Sequence, residues 1–596
     1  MTDDSAESGK QLMIGKLLCV VSIVYVGLFG LSFYFYPIAQ IPVLDARENL
    51  AWAEQIRSDS LAEEPLYRAL LYPFVLSFFG EASLPGAAVA FGFLCHLLNA
   101  LLVAGIGLQL WKHRFAALFA FILYANYPVA LYFAGQVLDV TFSTTLFLAA
   151  LWLGLASSEA SGRKQIGALA LLGGLLAGAA VLARPNFLPA VLFLPVIPLI
   201  GGAGRRWSSA LLLASGLGLM LLLQGVVNVR LSGEFRLTPW QGSYNLFAAN
   251  RDGANGKYYS QRVSFSEIPA GSNPTRMESE LLYREAFGPD APLEVEAMNA
   301  YWKASLREEI MAAPFEWMGL MVRKVFYLFN DWEQYNNTTY SFHKDRLPLL
   351  NWNPLGWGLL LILGVWGLVL GRHRLSRSHF YGLGLVGLAY TAGILLFFVS
   401  ARFRLPLVPL LCVAAGGCVF VRAGLRDGRA TAMLLGAGIS LAVLSFGNWF
   451  NARDKQSFVQ DEILLARANS GLGRDAQALA LARAALVKAP EKAEIRRIEV
   501  TSLFNLWLET RTPEDWAQLK SALEALEVGD ASTMFIRGVV RWRESEFEPA
   551  TQVWQQAVRD FGARAGSSAA ALRVVDPETE GVSSGFEQSI RELLQH

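Results

Sequence analysis

The stretch LLCVVSIVYVGLFGLSFYFYPIAQIPVLDARENLAWAE, residues 17–54, decides the class of this protein. Residues 17–36 carry no charge and approach the ~20 residues that a ~30 Å hydrocarbon core requires. The run is too long for a signal-peptide core and has no small-residue cleavage site, so it reads as a first membrane span that is retained. Just beyond it stands an acid, Asp45. The whole chain agrees with this opening. Of 596 residues, 53% are hydrophobic and 17% charged, against ~25% charged in soluble chains. Lys and Arg number 51 against 50 Asp and Glu, so no basic excess points to nucleic acid. Trp 16, Tyr 18 and Phe 37 suit membrane interfaces. An all-α polytopic membrane protein is expected.

Further apolar runs near 86–110, 115–133, 140–157, 166–183, 187–203, 208–229, 354–370, 380–399, 405–421 and 431–449 bring the expected spans to about eleven. Pro189, Pro195 and Pro198 predict a kinked or short segment at 187–203. Lys112, Arg114, Arg163, Lys164, Arg205, Arg206, Arg372, Arg374, Arg377, Arg422, Arg426 and Arg429 fall in alternate short loops, which the positive-inside rule places in the cytoplasm. An odd number of spans then sets the C-terminus outside, together with two large loops, about 37–85 and 230–353. Loops of that length carry function more often than mere connection. The expected organisation is a membrane catalytic domain over 1–451, a helical domain over 452–576 and a weakly ordered tail over 577–596.

In the helical domain, Ala466, Ala478 and Ala485 precede Pro490, and Gly538, Ala550 and Ala557 repeat the first two separations. Small residues at those intervals match the tetratricopeptide helix pair, with a degenerate repeat expected near 494–527. Cys19, Cys95, Cys412 and Cys418 lie in apolar runs without ligand spacing and read as packing residues. No phosphate-binding loop and no paired-histidine zinc motif appears.

Candidate chemistry lies in acids and arginines at the outer ends of spans, where a charge usually lines an aqueous cavity. Asp45 reads as a general base or as an interfacial helix-capping acid. Asp139, in YFAGQVLDVTFSTTLF, reads as a second catalytic acid or as the cap of the helix that follows. In EPLYRALLYPF, Glu64, Tyr67 and Arg68 are candidates for acceptor or sugar contact, with Glu64 pairing to Arg68 as the plainer reading. Arg402 and Arg404 in FFVSARFRLPLVPLL would converge on a phosphate if residues 401–405 were extended. Arg184, before Pro185, is a third phosphate candidate. FRLTPWQGSYNLFAANRDGANGKYY offers Trp240, Tyr244 and Asn245 to a sugar. WMGLMVRKVFYLFNDWEQYNN predicts a helix along the membrane surface, with Arg323 and Lys324 toward headgroups, ending near Glu333.

In this order, Asp45 in the first outer loop, EPLYRALLYP, NYPVALYFAGQVLD, GGLLAGAAVLARPNFL, a long outer loop and SARFRLPLVPLL, the chain resembles the GT-C class of membrane glycosyltransferases over residues 10–450. That class includes the protein O-mannosyltransferases and the lipid A aminoarabinose transferase. The resemblance implies transfer of a sugar from a polyprenyl-phosphate donor to a hydroxyl of an extracytoplasmic acceptor, with inversion, at the outer face of a bacterial inner membrane. It implies Asp45 and Asp139 as catalytic acids, and Arg402 and Arg404 at the donor phosphate. A divalent metal is possible, with no ligand cluster that compels one. The MIR domain of the mannosyltransferases and the W-W-D-like motif of oligosaccharyltransferases are absent from the sequence.

Two rivals remain open at this level. An O-antigen-ligase-like transferase would use a polyprenyl-diphosphate carrier and a histidine such as His343, the one histidine in the second large loop. A lipid-glycan flippase would carry charge within several spans. A catalytically dead scaffold recruiting protein partners through the tail is a third possibility.

Overall fold

The computed structural model describes residues 2–160, 162–200, 206–263, 265, 272–375, 377–425, 428–454, 457–575 and 585–595. Helices make up the fold, and no strand occurs among the described residues beyond one isolated bridge between Asn336 and Thr338. The chain divides into two compact units, 1–456 and 457–596.

In the first unit, eight helices among the described residues are long and apolar enough to cross a membrane: Met13–Tyr34, Leu84–Trp111, Asp139–Glu159, Arg163–Ala183, Trp207–Ser232, His379–Leu396, Ala401–Phe420 and Gly428–Phe446. Leu17, Val20, Val24, Leu28 and Leu31 stand exposed along the first of them, as lipid-facing side chains do. These features agree with an all-α membrane protein. Set beside the eleven expected spans, the described residues hold eight such helices, or nine with a bent pair, and three local features account for the difference. Pro128 breaks the run 115–133 into Arg114–Ala125 and Pro128–Ala134, bent by 57°, because Tyr127 before it stays extended. Within the proline-rich run, the described residues 187–200 form short helical pieces, among them Leu188–Val191 and Leu194–Leu199. Trp357–Gly371 is helical for 15 residues, short of a full crossing. Arg205 and Arg426, part of the basis for the orientation, lie outside the described residues.

Glycine sets how closely the spans approach. A Cβ on Gly174 would lie 2.2 Å from the Leu213 carbonyl oxygen, and one on Gly367 would lie 2.1 Å from that of Ala414. Only hydrogen fits at such contacts, and van der Waals packing of this kind drives helix association in lipid.

The two large loops, 37–85 and 230–353, fold together. Tyr67 of the first packs with Trp240, Tyr244, Phe247 and Trp302 of the second in one buried aromatic core. Pro314–Phe329 is amphipathic: Phe315, Met318, Val322 and Val325 are exposed at helical spacing, while Leu320, Lys324, Tyr327 and Leu328 face inward. Lys324 therefore does not reach headgroups. It is fully buried and donates to Asn250 Oδ1 at 2.9 Å.

Burial pulls the Lys324 amine down to about 7 from its ordinary 10.5. Between those values the unfolded chain holds a proton that the folded chain lacks, so stability rises with pH across that window. Lys324→Met is expected to flatten the rise in melting temperature of the purified protein over this range. An unchanged slope would place the titration elsewhere.

The second unit is a succession of helices: Val459–Gly471, Asp475–Lys488, Ala493–Thr510, Pro513–Glu524, Ala531–Arg543, Phe547–Phe561, Gly566–Val575 and Gly585–Gln595. Ala466, Ala478, Ala485, Ala550 and Ala557 are fully buried. A Cβ on Gly538 would strike the Trp554 ring at 2.1 Å. Of the expected tail, residues 577–584 lie outside the described residues, and Gly585–Gln595 is a helix whose Ile590 joins the hydrophobic core.

Candidate active site

Asp45 is the first residue of helix Asp45–Arg57, in the turn where the positive end of the helix dipole favours a carboxylate. The residue before it, Leu44, has φ 52° and ψ −128°. Side chains with a Cβ rarely adopt such a backbone, and the strain costs about 1–3 kcal/mol. Glu48, one turn on, shares the face of Asp45.

Four further elements converge on this turn. Arg402 Nη1 reaches Asp45 Oδ2 at 2.8 Å, and Arg68 Nη2 approaches the same oxygen at 3.8 Å. Arg68 also pairs closely with Glu48, which accepts from Asn273 Nδ2 at 3.0 Å. Asn337, at φ 58°, hydrogen-bonds Asp45 from the second large loop. Asp139 begins the helix Asp139–Glu159 without capping it, and its Oδ1 takes Arg184 Nη1 at 3.0 Å. Asp139 is near enough for its charge to act on Arg68, which joins the two ion pairs into one cluster.

Phe403 stands between the two arginines that carry free donors. The Arg184 guanidinium lies 4.9 Å from its ring centroid and that of Arg402 5.8 Å. Both side chains are buried, yet Arg184 Nε and Nη2 and Arg402 Nε have no hydrogen-bond partner within the protein. Leaving such donors unpaired costs free energy that an anionic ligand would recover.

Burial by itself would raise the Asp45 carboxyl. Arg68 and Arg402, with hydrogen bonds from Arg402 and Asn337, override it and hold the group well below the usual carboxylate range. While Arg402 rests on it, Asp45 is ionised but weakly basic. Asp45, Glu48 and Asp139 are each paired to Arg68, Arg402 or Arg184. Carboxylates neutralised in this way do not fit a divalent cation, and among the described residues no group of three His, Cys, Asp or Glu is arranged to hold one.

Several predicted residues lie outside this cluster. Ala401–Arg404 is a helical turn, so Arg402 and Arg404 point apart instead of converging. Arg404 is committed to the protein: Nη2 meets Glu333 Oε2 at 2.7 Å, its guanidinium donates to the carbonyls of Asn330 and Trp332, and it stacks 4.6 Å from the Trp357 ring. Burial raises the Glu333 carboxyl against the pull of Arg404. Glu64 pairs with Arg276, not with Arg68. Tyr67, Trp240 and Tyr244 are buried among one another and present no open ring face. Asn245 is half-buried on Gly242–Asn250. His343 is buried, its Nδ1 2.8 Å from the Tyr36 hydroxyl and its ring stacked on Tyr132. Glu48, Asn273 and Asn337 escape the sequence reading. Only Glu48 had a local signal, its one-turn spacing from Asp45.

An apolar groove of about 330 Å³ lies among Trp357–Gly371, Arg377–Leu396 and Val408–Ala415. Leu361, Leu383, Leu388, Leu407, Leu410 and Leu411 line it, and Leu407 follows Arg402 on the same stretch of chain.

No family model and no curated protein matches the sequence. Two crystal structures of the Archaeoglobus fulgidus oligosaccharyltransferase are similar to it, one in complex with Zn and sulfate and one in the apo form. Each is 14% identical at a TM-score of 0.35; they cover 76% and 84% of this chain. This chain spans 55% and 59% of their length.

Proposed function

We propose that the protein is an integral membrane glycosyltransferase that moves a sugar from a polyprenyl-phosphate donor to a hydroxyl of an extracytoplasmic acceptor, inverting the anomeric carbon. The observation that carries this reading is the pair of buried arginines flanking Phe403, with Arg402 Nε left without a hydrogen-bond partner, beside the ionised Asp45. An anion with an apolar tail suits that pair and the leucine-lined groove together.

In this mechanism the polyprenyl chain lies in the groove, and Arg402 and Arg184 take the phosphate. Arg402 then shares its charge with the phosphate, which relieves Asp45 and restores its basicity. The acceptor oxygen attacks the anomeric carbon and its proton passes to Asp45. The bond from that carbon to the phosphate oxygen breaks, and the arginines offset the charge left on polyprenyl phosphate. Arg68 and Asn337 hold Asp45 in place, and Asp139 fixes Arg184. Glu333 and Arg404 brace the loop. His343 is held by Tyr36 and Tyr132. The site lies on the periplasmic face of a bacterial inner membrane, and the second unit is a tetratricopeptide-like domain on the same side that holds a protein partner.

Purified protein incubated with synthetic polyprenyl-phosphate hexoses and a membrane extract tests the reading. Release of polyprenyl phosphate should require the extract and fall by roughly 10²–10³-fold in kcat for Arg402→Lys, which keeps the charge but loses the planar fork. Extract-independent release, or an unaffected variant, would refute the assignment.

A further inference from the structure

A second polar site lies in the outer region, on the loop NRDGANG, residues 250–256. Gly253 and Gly256, at φ 72° and 74°, fold it into a cup of about 150 Å³. Arg251, Asp252, Asn255, Gln261, Arg262 and Phe398 line that cup. Arg251 is buried at 5% exposure and held by a 2.7 Å bond from Nη2 to the Ser260 carbonyl, yet its Nη1 has no partner. Arg262 stands exposed at the rim, its Nη2 tied to the Asp252 carbonyl at 3.0 Å. Asn255 Oδ1 accepts from the amides of Lys257 and Tyr258, which leaves its Nδ2 as a donor. The Asp252 carboxylate is exposed beside them.

The mixture selects a ligand class. One fixed buried guanidinium with a free N–H calls for a single negative charge. A neighbouring carboxylate and two amides suit hydroxyls, which both donate and accept. Asp252 disfavours a dianion such as phosphate by like-charge repulsion. Phe398 offers an apolar surface to ring C–H groups, and the volume admits one pyranose. We propose that this cup binds a single acidic sugar, a hexuronate, of the acceptor glycan. The proposal rests on the transferase reading for the word acceptor. Continuity supports the link: the Val399 amide donates to the Gly256 carbonyl at 3.4 Å, and Phe398 and Arg402 belong to one short segment. A uronate held here would steer a neighbouring hydroxyl of the same glycan toward Asp45.

The test is binding to the full chain in detergent, read by saturation-transfer NMR and calorimetry with no polyprenyl donor present. The probes are methyl glucuronide, methyl galacturonide, methyl glucoside and inorganic phosphate. At least one uronide should bind roughly tenfold more tightly than the glucoside and lose about the same factor in Arg251→Gln. Gln261→Ala, an exposed change that spares packing, should weaken the uronide as well, and it decides the matter if Arg251→Gln fails to fold. Phosphate binding equal to the uronides, no uronide binding, or uronide binding indifferent to these variants would overturn the site. Because no turnover is read, a protein that binds uronide but transfers no sugar would refute the transferase and leave the cup intact.

Discussion

Asp45→Asn is expected to lower sugar transfer by about 10³-fold or more while leaving the protein folded. A positioned general base contributes about 10²–10⁴-fold, and asparagine keeps the shape of the side chain but cannot take the acceptor's proton. The variant also frees Arg402 from its 2.8 Å contact, so donor phosphate should bind at least as well as before. The signature is therefore a fall in kcat with an unchanged or lower KM for donor. Melting of wild type and variant side by side guards against unfolding, since the substitution leaves Arg68 and Arg402 short of one counter-charge. Transfer at wild-type rate would move the base to Asp139 or Glu48, the other acids of the cluster.

Arg404→Ala is expected to destabilise the membrane unit by about 3–5 kcal/mol, the cost of stranding one partner of a buried ion pair. Arg404 is 1% exposed and Glu333 8%. The variant would leave the Glu333 carboxyl, already raised by burial, without its cation. It would also strip the carbonyls of Asn330 and Trp332 of a donor and open a cavity against Trp357. The double variant Arg404→Met with Glu333→Leu should recover most of the loss, because removing both charges removes the desolvation cost with them. Melting temperature and yield in detergent measure both. A single variant as stable as wild type, yet impaired in donor binding, would return Arg404 to the phosphate site that its position in SARFRLPL first suggested.

The contrast between Arg402 and Arg404 shows where sequence reasoning reaches its limit. Two residues apart, they would share a face in an extended chain. Whether 401–405 extends or coils is decided by packing, and the coil sends one arginine to Asp45 and the other to Glu333. Trp240 and Tyr244 make the same point. An aromatic in a polar loop looks available, and only the meeting of the two outer loops shows that these rings form a core while the glycine loop after them stays open.

The sequence by itself determined the helical membrane class, the break near Pro189, and the one-turn spacing of Asp45 and Glu48. Each of these follows from interactions among near neighbours: hydropathy over about twenty residues, a missing N–H, the pitch of a helix. The tertiary structure decided which charges pair. Asp45 and Arg402 are 357 residues apart, and Glu64 takes Arg276 across 212 residues in place of nearby Arg68. A buried guanidinium finds whichever carboxylate the packed helices bring within reach, and no local pattern encodes that distance.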